Sequence, residues 1–179
     1  MKNLLFLACT LMILLSTSCT NETNELEGTW SAIDMDIDLN LTIEIAGLEV
    51  VTEFDIQSTE MNYDLTFEAE TFSTSGDYTY DVTNSTNGNA ITSSVTLTDV
   101  MGSGEYTIED NILTVIGSFY EIQGTAGTST TSGEEQSTNF EINADGILIL
   151  TQTINETETD PITGQVSTTT GTSISRWEK

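Results

Sequence analysis

From Ser31 the chain alternates with period 2, and from Ile33 to Ile45 it changes polarity at every residue. Ile33, Met35, Ile37, Leu39, Leu41, Ile43 and Ile45 form one series, and Asp34, Asp36, Asp38, Asn40, Thr42 and Glu44 form the other. Successive side chains of an extended strand point to opposite faces, so this order gives one apolar face and one acidic face. Wound into a helix, the same residues would scatter charge around the whole circumference. The stretch is therefore a half-buried β-strand, or two in succession. At ~3.4 Å per residue it would run roughly 50 Å, longer than ordinary strands, so a bend or break is expected inside it. Gly47 supplies the next turn.

The same grammar recurs downstream. Met61, Tyr63, Leu65, Phe67 and Ala69 alternate with Asn62, Asp64, Thr66 and Glu68. Tyr78, Tyr80 and Val82 follow Gly76, and Ile91 to Leu97 alternates with Thr92, Ser94 and Thr96. Turn residues mark hairpins at Asp110-Asn111, at Asn143-Ala144-Asp145-Gly146 and at Asp160-Pro161-Ile162-Thr163-Gly164. Thr125 to Ser137, rich in Gly, Ser, Thr and Glu, reads as one long loop. Two similar runs, Ser75-Gly76-Asp77-Tyr78 and Ser103-Gly104-Glu105-Tyr106, read as strands entering one sheet by like turns rather than as a repeat array. No segment after residue 20 carries a helical period. Strands of about 5 to 12 residues joined by short turns describe an antiparallel all-β meander.

The N-terminus follows other rules. Met1-Lys2 carries one positive charge, Leu4 to Leu15 is almost wholly apolar, and Ser16-Thr17-Ser18 leads to Cys19. That apolar core is short for a membrane span and suits a secretory signal peptide. A small-residue run ending in cysteine resembles the lipobox of bacterial lipoproteins, with Ser16 standing where the box ordinarily has an aliphatic residue. The resemblance implies cleavage before Cys19 and acylation of that residue with palmitate-type chains. The protein is then expected in the cell envelope, anchored by lipid to the outer membrane, on whichever face. Two or more acyl chains make such an anchor stable, whereas one is marginal. The expected organisation is a signal over 1–18, a polar tether carrying lipidated Cys19 over 19–25, and one β domain over 26–179. Taking 18 from 179 residues leaves 161, enough for a domain with a full core.

Composition excludes more than it assigns. The sequence holds 29 acidic residues, no histidine and three basic residues, Lys2, Arg176 and Lys179. Once Lys2 leaves with the signal, 2 cations face 29 acids, a formal charge of −27. Nucleic acid is excluded as a partner, because phosphate contacts need several Lys or Arg. Anionic headgroups repel such a chain too, so membrane attachment rests on the acyl chains of Cys19. Cys9 departs with the signal and Cys19 is taken by lipid, which leaves no free thiol. Without histidine or thiol, Ser-His-Asp and Cys-His catalysis and the usual N/S zinc sites are out. Carboxylate pairs can act as acid and base, but nothing among 29 acids singles out a pair. No enzyme, no cofactor and no metal site are expected. Asp34-x-Asp36-x-Asp38 has the opening spacing of a calcium loop, yet Leu39 stands at the turn glycine and Ile45 at the closing glutamate. On a strand these carboxylates lie ~7 Å apart, and the acidic face reads as a hydrated outer surface.

Leu26-Glu27-Gly28-Thr29-Trp30 opens the domain and Ser175-Arg176-Trp177 nearly closes it. A Gly-x-Trp at the first strand with an arginine on the last resembles the lipocalin family and its bacterial lipocalin-like relatives. The stretches Phe72 to Tyr78, Gly104 to Thr114 and Phe140 to Thr151 look like that group's strands. The resemblance covers residues 26–179 and implies an antiparallel meander β-barrel of about 8–10 strands. It also implies that Trp30 and Arg176 meet where the barrel closes, the guanidinium laid over the indole to seal the floor, at ~0.5–2 kcal/mol. Trp30 lies on the opposite parity from Ile33 and Met35, so the pairing needs a bulge near Ser31-Ala32.

In such a barrel the inward residues of the early strands are the candidate ligand contacts: Met35, Ile37, Leu39, Met61, Tyr63, Leu65, Phe67, Tyr78 and Tyr80. Tyrosine hydroxyls fix a headgroup and methionines adapt to an apolar tail. The function this implies is binding or carriage of a small hydrophobic molecule without catalysis. The same residues also suit a filled core, which makes the alternative a structural or adhesive envelope β-domain with no small-molecule ligand. A threonine-rich ice- or mineral-binding surface fits less well, since the Thr-x-Thr runs keep no constant period.

Overall fold

A computed structural model describes residues 23–45, 47–122 and 135–179. The signal segment, Cys19, the first residues of the tether and most of the 125–137 loop lie outside the described residues. One helical turn, α1 (Thr23–Leu26), precedes eight strands. These are β1 (Gly28–Ile45), β2 (Leu48–Glu68), β3 (Thr71–Thr86), β4 (Asn89–Glu109), β5 (Ile112–Ile116), β6 (Glu135–Ile142), β7 (Leu148–Thr159) and β8 (Val166–Glu178). Each pairs antiparallel with the next, and β8 returns to pair with β1, closing a barrel. The fold is the all-β antiparallel meander that the alternation demands. Among the described residues, every strand and the seam lie within 28–178.

The strands are longer than the sequence suggests. β1 has 18 residues, β2 has 21, β3 has 16 and β4 has 21. Gly76 and Gly104, which read as turn residues at strand entries, lie inside β3 and β4. At Gly76 the backbone takes φ 134° and runs against the Asn62 carbonyl of β2, an approach that a side chain would block.

Bulges let such long strands bend around the barrel. In the β1–β8 ladder Ala32 faces Trp177 and Asp34 faces Arg176, leaving Ile33 as the extra residue. This is the irregularity that the parity of Trp30 and Met35 requires, one residue beyond Ser31-Ala32. It turns Ile33 outward to 41% exposure while Trp30 and Met35 both stay inside. Ile33 is therefore not part of the inner face, and Ile45 at the strand end is exposed as well. Thr59 is the extra residue on β2 and Asp99, at φ 55°, the extra one on β4.

Local chemistry fixes the hairpins. Asn87 and Gly88 both take positive φ, as a two-residue hairpin turn with the right twist requires. The Asn143 side chain accepts from the amides of Asp145 and Ile147, and the Asp160 carboxylate accepts from those of Ile162 and Thr163. Facing threonines on neighbouring strands share hydroxyl hydrogen bonds, among them Thr29 with Thr66 at 2.9 Å and Thr83 with Thr92 at 2.8 Å. The threonine richness thus has a use within the sheet.

The floor is sealed where the start of β1 meets the end of β8. Trp30 Nε1 donates to the Leu26 carbonyl at 2.7 Å, and Trp177 Nε1 donates to Ser175 Oγ at 2.9 Å. The cation over Trp30 is Lys179, its Nζ 4.5 Å from the ring centroid and bonded to the Glu25 carbonyl. This corrects the sequence expectation for Arg176. Ser175 and Trp177 point inward, so Arg176 between them must point outward, where its guanidinium meets Asp34 at 2.7 Å. Trp30 and Arg176 do belong to the two strands that close the barrel, but they lie on opposite faces of them.

Candidate functional site

The lumen is divided by the chain itself. β5 stops at Ile116, partway up the barrel, and Gly117–Ile122 leaves the wall and crosses the interior. Tyr63 donates to the Phe119 carbonyl at 3.0 Å and contacts Thr74 Oγ1 at 2.8 Å. The Tyr78 hydroxyl donates to the Glu121 carbonyl at 2.6 Å and accepts from the Glu121 amide at 2.7 Å, as a backbone partner would. Phe119 packs edge-on against Phe72 and Phe67, while Tyr120 stacks on Trp177 and Tyr63. This aromatic cluster fills the half of the barrel bounded by β2, β3 and β4.

Burial sets the titration of these groups. The phenols of Tyr63, Tyr78 and Tyr120 are all pushed above their ordinary range, chiefly because the low-dielectric interior disfavours phenolate. For Tyr120 the nearby Ser175 hydroxyl offsets part of this. Even so, the Tyr120 hydroxyl closes no hydrogen bond of normal geometry, and neither does that of Tyr106.

The other half of the barrel holds a cavity of about 140 Å³. Ile37 and Leu39 of β1, Val115 of β5 and Leu150 and Ile154 of β7 form its apolar walls, with Phe119, Tyr120 and Ile122 as the partition. Polar groups are interspersed: the amides of Gln136 and Gln152 and the hydroxyls of Thr138, Thr169 and Ser173. Glu156 is the one charged side chain among the described lining residues. Its lining also borders a place where the wall parts. β6 pairs with β7 only over Asn139–Ile142, so Gln136 and Thr138 on one side, and Gln152, Ile154 and Glu156 on the other, lie beyond the last rung.

Outside the barrel, register assembles an acidic cluster that the primary sequence does not show. Asp38 faces Asp55 across the β1–β2 ladder, and with Asp36 their carboxylate oxygens come within 4.8 Å of one another. The Asp36 carboxyl is pushed above its usual range, first by partial burial, then by repulsion from Asp38 and Asp55, with Arg176 opposing. Asp36 and Asp38, expected ~7 Å apart along the strand, lie closer than that, and the neighbouring strand brings in the third acid.

Of the candidate ligand contacts, Ile37 and Leu39 line the cavity. Met35, Tyr63, Leu65, Phe67, Tyr78 and Tyr80 are buried but belong to the packed half, and Met61 is half-buried beside it. The partition residues Phe119 and Tyr120 were not legible, because they sit in irregular chain with no alternation to mark them. Leu150 and Ile154 fall in the strand read after the Asn143–Gly146 turn, but its opening run Ile147-Leu148-Ile149-Leu150 does not alternate, so parity did not mark their inward face. Comparison with protein-family models, with curated proteins and with solved structures returns no match.

Proposed function

We propose that this protein is a lipid-anchored envelope barrel of lipocalin-like type that holds a small apolar molecule reversibly and does no chemistry on it. The hollow carries this reading: a cavity of about 140 Å³, walled by Ile37, Leu39, Leu150 and Ile154, inside a sheet whose other half is solid. An apolar cavity of about 150 Å³ suffices for a benzene-sized body. The eight-strand meander, the Trp30 entry to β1 and the C-terminal cation over its ring support the lipocalin-like assignment. The lipobox-like run before Cys19 supports the anchor, and Cys19→Ala is expected to release the protein into the soluble fraction.

The test is native mass spectrometry of the delipidated protein purified from its host, beside a Leu150→Trp variant that fills the cavity. A small molecule that travels with the wild type and is lost from the variant is the expected result. Persistent absence of any bound mass, together with no uptake of an apolar fluorescent probe, would favour the second reading. In that reading the barrel is a structural or adhesive domain. The observation behind it is size, since drug-sized pockets occupy about 300–1,000 Å³ and this one is smaller.

A further inference from the structure

We propose that the cavity discriminates by charge, accepting a short apolar amphiphile with a cationic or neutral head and refusing the corresponding carboxylate. This rests on the lumen being the ligand site and goes on to name the ligand's chemical class. Gln136, Gln152, Thr169 and Ser173 offer dipoles that can meet an alcohol or an amine, whereas Glu156 is the sole charge among the described lining residues. A carboxylate drawn into a half-enclosed lumen gives up hydration that only a nearby cation or several converging donors restore. Both cations among the described residues are committed elsewhere. Arg176 lies on the outer face against Asp34 at 2.7 Å, and Lys179 lies at the floor, 4.5 Å from the Trp30 ring centroid. The summed field of 29 acids against three basic residues opposes an anion further. Size sets the second limit: about 140 Å³ takes one ring or a short chain, and the lining's one charge, Glu156, is exposed to solvent, where a polar head can stay hydrated.

The experiment is calorimetric titration of residues 19–179 carrying Cys19→Ala with octylamine, octanol and octanoate, at neutral pH and low salt. Octylamine is expected to bind at least as tightly as octanol, and octanoate roughly tenfold or more weakly, about 1.4 kcal/mol. Glu156→Gln should narrow the gap between amine and carboxylate, Leu150→Trp should remove all three signals, and added salt should shrink the discrimination. Octanoate binding as tightly as octanol would overturn the charge inference while leaving the lumen as a ligand site. If none of the three binds, the ligand-carrier reading falls and the inference with it.

Discussion

Lys179 Nζ sits 4.5 Å from the centroid of the Trp30 ring, so the last residue of the chain covers the first tryptophan of the barrel. Arg176, three positions earlier, faces outward to Asp34 instead. A double-mutant cycle separates the two. Lys179→Ala and Trp30→Leu are expected to couple by about 0.5–1 kcal/mol in urea unfolding. Arg176→Ala should show no coupling to Trp30→Leu and should cost about 1 kcal/mol or less, as half-exposed ion pairs do. Coupling at Arg176 instead would mean that the floor is built differently.

The partition should respond unequally to loss of its two central hydroxyls. Tyr78 serves both the amide and the carbonyl of Glu121, and Phe in its place removes the partner of both part-buried bonds. Tyr78→Phe is expected to cost about 1–3 kcal/mol. Tyr120 has a buried hydroxyl without a partner of normal geometry, so Tyr120→Phe should be neutral or stabilising. Equal losses from the two variants, measured by chemical denaturation, would contradict the hydrogen bonding described for this segment.

Alkali should unfold the barrel through its tyrosines. Burial raises the phenols of Tyr63, Tyr78, Tyr106 and Tyr120 above their ordinary range. A group whose folded value lies above its unfolded one stabilises the fold below the unfolded value, here about 10. That contribution is lost as pH rises through the folded value. Phenolate absorbance and loss of β-sheet circular dichroism should therefore appear together above a pH of about 10. Phenolate formation well before loss of the sheet would show these rings to be accessible in the folded state.

Asp36 should oppose folding at neutral pH. Its folded value is raised, so whatever it contributes is present at acid pH and is lost as pH climbs past the ordinary carboxylate range near 4. Asp36→Asn is accordingly expected to raise the unfolding midpoint at pH ~7, with the gain fading at acid pH as the Asp36 carboxylate of the wild type takes up its proton. A variant less stable than wild type at neutral pH would show that Asp36 has a favourable partner.

What the amino-acid order revealed depends on whether the signal was local. Alternation at Met35, Ile37 and Leu39 fixes which face is buried, because inside and outside follow from parity alone. The turns at Asp110-Asn111 and Asn143 to Gly146 were legible for the same reason: side chains and φ preferences act within a few residues. Strand length was not, since Gly76 and Gly104 permit close strand packing rather than a turn. The cavity was only partly visible. Ile37 and Leu39 lie where parity puts them, but hollow and filled halves differ only by where Phe119 and Tyr120 cross the lumen. That crossing depends on contacts with Tyr63 and Tyr78, more than 40 residues away for each hydroxyl bond. Arg176 and Lys179 show the same lesson at the floor, where one bulge at Ile33 and one parity step decide which cation meets the indole.

The seam between β1 and β8 has a kinetic consequence. Seven of the eight strand pairs join neighbours in sequence, and each can form while the remainder of the chain is still loose. The eighth must bring residues near 30 together with residues near 177, against an entropic cost that grows with the logarithm of the intervening length. Ring closure is thus the natural final step of folding. A chain halted within β8 would keep its earlier hairpins and present β1 and β7 as bare edges, open to joining another molecule in place of its own missing end.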